Sequence, residues 1–140
     1  MAPEDNKAVI RRFIEEVFNQ RNVNAIDQYF ADDYVDHVIP PGMPNNREGF
    51  KQFVGAFLAA FPDFHYTLED ELAEGDKVVN RLTARGTQRG ELMGMPPTGK
   101  HATWSEIHVG RMRAGKLVEH WGQIDQLGML QQLGIVPTPG

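Results

Sequence analysis

The sequence predicts an α+β fold: a cone of three N-terminal helices packed on one curved, mostly antiparallel sheet. Two observations carry this. Up to Pro62 the apolar residues recur at helical spacing, whereas after Pro62 four strand-like segments follow one another, separated by turn residues. Helices first and consecutive strands afterwards give a sheet wrapped over helices, because two of the gaps are short enough for hairpins. The 140 residues contain no repeat, low-complexity tract or linker, so one domain over residues 1–140 accounts for the chain.

The first helix is expected from Glu4 to Asn19, where Val9, Ile10, Phe13, Ile14, Val17 and Phe18 form a wide apolar face. A second, shorter helix spans Asn24 to Phe30, with Ile26, Tyr29 and Phe30 on its buried side. Tyr34, Val35, His37 and Val38 then lead into a Pro/Gly loop from Pro40 to Pro44, which no regular element crosses. Arg47 to Phe61 forms the third helix, with a Phe-rich stripe, and Pro62 ends it. The strands are expected over Phe64–Ala73, Lys77–Gln88, Thr103–Arg113 and Leu117–Ile124. Leu127, Met129, Leu130 and Leu133 have the spacing of a short closing helix, and the residues from Val136 onward read as a frayed tail.

Composition narrows the function classes. Hydrophobic residues make up 41% and charged residues 24%, close to the globular norm. A net charge of −5 argues against a nucleic-acid partner, which needs clustered Lys and Arg. There is no apolar run long enough for a membrane span and no signal-peptide pattern, so a cytoplasmic setting is expected. Zero cysteines exclude a disulfide scaffold, thiol catalysis and Cys-ligated zinc. The five histidines (His37, His65, His101, His108, His120) show no HExxH and no close His-x-His pair, so no metal is expected. Any chemistry must come from ordinary side chains in a pocket, and no cofactor is expected.

The most informative stretch is Gly115 to Asp125, GKLVEHWGQID. Strand side chains alternate between faces, so Trp121, Gln123 and Asp125 share one face if the strand stays regular. An aromatic wall, an amide and a carboxylate on one inward face make a pocket lining. The competing reading has Trp121 in the core and Asp125 capping the helix that follows, since Asp is a favoured N-cap residue.

Several motifs resemble one known family. GMPPTGK (Gly94 to Lys100), ARGTQRGEL (Ala84 to Leu92), YVDH (Tyr34 to His37) and the ending GKLVEHWGQIDQLGMLQQLG are similar, in order, to the SnoaL-like polyketide cyclases. The resemblance spans about residues 7 to 134 and implies the nuclear-transport-factor-two-like cone. It also implies cofactor-independent intramolecular aldol condensation of a polycyclic or polyketide-like small molecule. The matching position for the family's acid–base carboxylate is Asp125, with His108 as its partner on the preceding long strand. Glu106 stands where the family pattern has an amide, and it shares strand parity with Trp104 and His108. An inward Glu is costly unless paired, so its burial argues for function. Further substrate contacts are expected from Tyr34 and His37 at the pocket mouth, Arg81 on the second strand, the walls Trp104 and Trp121, and Gln123. The alternatives are a non-catalytic module binding a small hydrophobic ligand, or another reaction of the same fold such as an isomerase or hydratase. A homodimer or dimer of dimers is expected through the outer sheet face, because Val78, Val79, Leu82 and Ala84 put apolar residues at both parities of their strand.

Overall fold

In the computed structural model, which describes residues 2–139, the chain runs α1 (Pro3–Phe13), α2 (Ile26–Tyr29), β1 (Phe30–Asp36), α3 (Arg47–Ala60), β2 (His65–Glu74), β3 (Lys77–Thr87), β4 (His101–Arg113), β5 (Lys116–Ile124) and α4 (Gln126–Gln132). Pro3 sits in the first turn of α1, where its missing N–H has no intrahelical partner to lose. Beyond Phe13 the helix continues in wider π turns, Ile14–Asn19, which keep Ile14, Val17 and Phe18 buried. Asn46 caps α3 by accepting the Gly49 N–H at 2.9 Å, and Phe50, Val54 and Leu58 turn into the core.

The sheet has the order β1-β5-β4-β3-β2. All pairs are antiparallel except β1 and β5, which run parallel. The four long strands lie close to their expected limits. Strand β1 departs from expectation, since the sequence assigns Phe30 to the second helix and has Tyr34 to Val38 only leading into the Pro40–Pro44 loop. Its register with β5 shifts between Phe30 and Val35, so its inward residues do not alternate and the period-two signal is missing.

On β3 the inward residues are Val78, Asn80, Leu82 and Ala84, all buried, while Val79, Arg81, Thr83 and Arg85 alternate with them. Val79 is the one apolar residue among these four on the outer parity, so apolar residues do occur on both parities but the outer one is mostly polar. On β5 the register with β4 skips Val118, since Met112 pairs with Leu117 and Arg111 with Glu119. That one-residue bulge transfers every later side chain to the opposite face. Leu117 lies inward, but beyond the bulge the inward residues are His120, Gly122 and Ile124.

The loop between β3 and β4 hangs on Gln88, which is fully buried. Its amide donates to the Gly90 and Pro96 carbonyls and accepts from the Thr98 N–H and hydroxyl. The loop thereby places Leu92 and Met93 at the cavity described next. Among the described residues, no helix is long and apolar enough to cross a membrane.

Candidate active site

The helices do not fill the concave face of the sheet, and a cavity of about 600 Å³ remains, in the range of small-molecule sites. Its walls are mostly apolar, with Phe13, Phe50, Phe53, Phe57, Leu82 and Trp104 prominent. Polar groups gather on one wall: Asp36 from the end of β1, His120 from β5, Glu106 and His108 from β4, Tyr66 from β2 and Asn80 from β3. Among the described residues, no lysine or arginine lines the cavity.

Four of these side chains form a continuous hydrogen-bonded row. His120 Nδ1 lies 3.2 Å from Asp36 Oδ2, His120 Nε2 lies 2.7 Å from His108 Nδ1, and His108 Nε2 lies 2.8 Å from Glu106 Oε1. Fixed donors hold both ends. Asp36 accepts from the Tyr34 hydroxyl and from the Val38 and Ile39 N–H groups at 2.7 and 3.1 Å. Glu106, only 2% exposed, accepts from the Tyr66 hydroxyl at 2.6 Å and the Trp104 Nε1–H at 2.7 Å. Backbone and indole N–H groups can only donate, so Asp36 Oδ1 and Glu106 Oε2 are acceptors.

The proton inventory follows from this. Burial, reinforced by the neighbouring carboxylates, pushes the Tyr34 and Tyr66 phenols far above their ordinary range and keeps them as donors. Burial alone would raise the Asp36 carboxyl, but the hydrogen bonds from His120, Tyr34 and Val38 outweigh it and hold it below its usual value. With both carboxylates accepting, His120 presents Nδ1–H to Asp36 and His108 presents Nε2–H to Glu106. The two remaining nitrogens face each other at 2.7 Å, a separation that requires a proton between their lone pairs. The two rings therefore share three N–H protons and one positive charge, set between two negative ones. Burial, and then the charge of His108, push His120 below its ordinary value against the pull of Asp36, so the positive charge is disfavoured on that ring.

Gly122 makes the ring contact possible. It lies opposite His108 in the β4–β5 register, and a Cβ there would stand 2.9 Å from His108 Cε1 and closer still to Nδ1. His108 lies across this bare position to reach His120.

The expected site residues divide into two groups. Trp104, Glu106 and His108 share the inward face, and His37 and Gln123 stand at the rim, with His37 bonded to Glu119 at 2.7 Å and stacked on Trp121. Tyr34 is fully buried behind Asp36 rather than at the mouth. Asp125 is exposed and caps α4, its Oδ1 accepting the Gly128 N–H at 2.9 Å, so it does not face the cavity. Trp121 lies outside the cavity because the bulge at Val118 reverses its face. Arg81 is also outside, on the outer parity of β3 and paired with Asp70 at 2.7 Å. Asp36, His120, Tyr66 and Asn80 were not anticipated. Reading Phe30–Asp36 as a strand would have placed Tyr34 and Asp36 together, and a bulge in β5 would have turned His120 inward.

The family model for SnoaL-like polyketide cyclases matches residues 8–133. The chain is 31% identical over 119 residues to the nogalonic acid methyl ester cyclase of Streptomyces nogalater, covering 84% of this chain and 89% of that one. It is 30% identical to the aklanonic acid methyl ester cyclase DnrD of Streptomyces peucetius, covering 94% of this chain and 92% of that protein. Among solved structures, IdmH from Streptomyces antibioticus superposes with a TM-score of 0.78 at 36% identity, over 96% of this chain and 99% of that one.

Proposed function

This chain belongs to the SnoaL-like polyketide cyclase family, and from that membership we propose that it closes a ring in a neutral polyketide ester by cofactor-independent intramolecular aldol condensation. The observation that carries the mechanism is the Asp36–His120–His108–Glu106 row opening onto an apolar cavity. The reaction breaks a C–H bond alpha to one carbonyl, forms a C–C bond to a second carbonyl and delivers a proton to the resulting alkoxide. Protons taken and given balance, which suits a cluster that holds one mobile proton and a vacant basic nitrogen in alternation.

All four ring nitrogens are engaged within the row, so a substrate must take over one contact. The ring–ring contact is the one whose exchange leaves both carboxylate partners in place. With the shared proton left on His108, the vacant His120 Nε2 receives the carbon-bound proton and the His108 Nδ1–H protonates the alkoxide. Asp36 and Glu106 fix the ring orientations and offset the imidazolium charge, while Tyr34, Tyr66 and Trp104 hold the two carboxylates. General acid–base help of this kind contributes roughly 10² to 10⁴ in rate, and folding the substrate so that the two carbons meet contributes at least as much. A free carboxylate would meet a row whose net charge is already negative and no lysine or arginine to pair with, so an esterified substrate is the better match, in line with the methyl ester cyclases among the relatives. His37 and Gln123 contact the substrate at the rim. The absence of cysteine suits a cytoplasmic setting. The outer sheet face, where Leu72 and Ile107 are exposed, suits a contact between two copies.

The test uses nogalonic acid methyl ester with absorbance and mass readout. His108→Gln is expected to lower kcat by about 10² to 10⁴, while Asp125→Asn, a cap of equal quality, leaves turnover unchanged. Full turnover in His108→Gln, or loss confined to Asp125→Asn, would overturn the mechanism. Binding without turnover in the wild type would leave only a ligand-binding module.

A further inference from the structure

Among the described residues, five that line the cavity are exposed, His37, Pro41, Met93, Gln123 and Gln126, and they ring its mouth. Met93 is the one long apolar side chain of the five, and it is 52% exposed. It sits in a two-residue turn. Leu92 and Met95 exchange backbone hydrogen bonds at 3.0 and 2.9 Å, with Met93 at φ 49° and Gly94 at φ 80° between them. Positive φ at both central positions is the turn that favours Asn-Gly or Gly-Gly, because most side chains crowd their own backbone there. Among the described residues, two other non-glycine residues have positive φ, and each is accounted for locally. Arg21 donates to the Leu58 and Phe61 carbonyls, and Ala114 brings only a methyl group to the β4–β5 hairpin. Met93 has neither justification. Its backbone conformation disfavours it, and half of its surface stays in water, so little burial offsets the strain. The side chain is nevertheless held: Gln126 Nε2 donates to Met93 Sδ at 3.7 Å, joining the β3–β4 loop to the start of α4 at the mouth. The base of the loop is fixed by the buried Gln88 and Leu92.

We propose that Met93 is a specificity-determining residue: its thioether packs against the outermost ring of a linear polycyclic aromatic substrate and so selects ligands long enough to reach from the histidine row to the mouth. That the ligand is polycyclic rests on the cyclase reading above. Asp36 and Glu106 at the row are 3% and 2% exposed, whereas Met93 is half in water, so a ligand that touches both spans the depth of the cavity. A two-ring ketone held at the row ends short of the turn. The other side chains of the rim, His37, Gln123 and Gln126, offer hydrogen bonds but little apolar surface, so Met93 supplies the apolar contact at that level. Sulfur is polarisable and meets ring edges favourably, and an unbranched side chain adapts to rings of different substitution. Asn at position 93 would relax the turn and forfeit this contact. A Met-Gly pair where Asn-Gly folds better is a local rule broken at a ligand's edge, where such breaks concentrate.

The test measures binding of methyl anthraquinone-2-carboxylate, with three fused rings in line, and of 1-tetralone, with two. Binding is read by quenching of tryptophan fluorescence on wild type, Met93→Asn and Met93→Ala, alongside the urea midpoint of each protein. Neither probe undergoes ring closure, so the result is independent of turnover and of the His108 experiment. Met93→Asn is expected to bind the three-ring ester about threefold to tenfold more weakly, the worth of one sulfur–aromatic contact, and to bind 1-tetralone as before. Its urea midpoint should rise by roughly 0.3 to 0.5 M, because Asn tolerates the left-handed position. Met93→Ala keeps the strain and removes the thioether, so it should lose the same affinity for the ester with the midpoint of wild type. Ester binding unchanged in either variant, an equal loss for both probes, or no binding of the ester by wild type would each overturn the proposal. A lower urea midpoint in Met93→Asn would also overturn it, by making Met93 a residue the fold requires. Ester affinity that follows residue 93, together with full turnover in His108→Gln, would remove the catalytic mechanism and leave Met93 as a recognition residue.

Discussion

Gly122→Ala adds one methyl group at the point where His108 crosses to His120. The new Cβ would stand 2.9 Å from His108 Cε1 and nearer to Nδ1, whereas ordinary contact needs roughly 3.5 to 4 Å. The ring must retreat by about 1 Å, which stretches the 2.7 Å ring–ring bond beyond hydrogen-bonding range. Losing a charged hydrogen bond costs about 1.5 to 3 kcal/mol. Replacing Gly in a strand returns about 0.5 to 1 kcal/mol, so a net destabilisation of about 1 to 2 kcal/mol is expected. Turnover should fall about 10²-fold, the penalty for a displacement of that size in a catalytic group. Proton NMR of the wild type in water should show a far-downfield imidazole N–H from the shared proton, absent in the variant. Urea denaturation gives the stability difference. Gly55→Ala is the control, because nothing lies within 4 Å of a Cβ at that site in α3, and it should stabilise by up to about 1 kcal/mol. Unchanged NMR signal and turnover in Gly122→Ala would refute the ring–ring contact as the working element.

Two further outcomes are expected. Asp36 has a folded pKa below the ordinary 3.8, so it contributes stability above pH 3.8 that is lost as pH falls through its lower folded value. His120 is depressed below 6.5, so the unfolded chain binds its proton first and stability declines as pH falls from 6.5 toward the folded value. Urea midpoints from pH 3 to 8 should show both declines, with the acid slope below about pH 4 reduced in Asp36→Asn; an identical acid slope would contradict the assignment. The outer sheet face predicts a dimer by light scattering at micromolar concentration, weakened by Ile107→Glu; a wild-type monomer would refute it.

The cone was legible because helical spacing before Pro62 and strand punctuation after it are both strong local signals. The parity of Trp104, Glu106 and His108 was legible for the same reason, since β4 is paired without interruption to β3 from His101 to Arg111. The other half of the cluster was not. Its residues depend on one skipped pairing at Val118, which leaves no mark in composition and reverses the faces of His120 and Trp121. Asp125 followed the face of Leu117 only under unbroken alternation, and it caps α4 instead. Asp36 comes from an edge strand whose register slips, so no period identified it. The resemblance located the family, but the proton-carrying side chains of this chain depend on where its own strands slip.

The parallel pairing of β1 with β5 also bears on when the site comes into being. Asp36 and His120 are separated by 84 positions, and their strands join across the whole of α3 and three intervening strands. Contacts of such separation close the largest loops and belong to the slow, non-local part of folding. During synthesis the antiparallel ladder of β2 and β3 is complete in sequence long before His120 has been added, so the emerging chain can hold a half-built sheet with an open apolar trough and no proton relay. The last strand seats β1 at its edge and carries His120, the residue that joins Asp36 to His108 and Glu106.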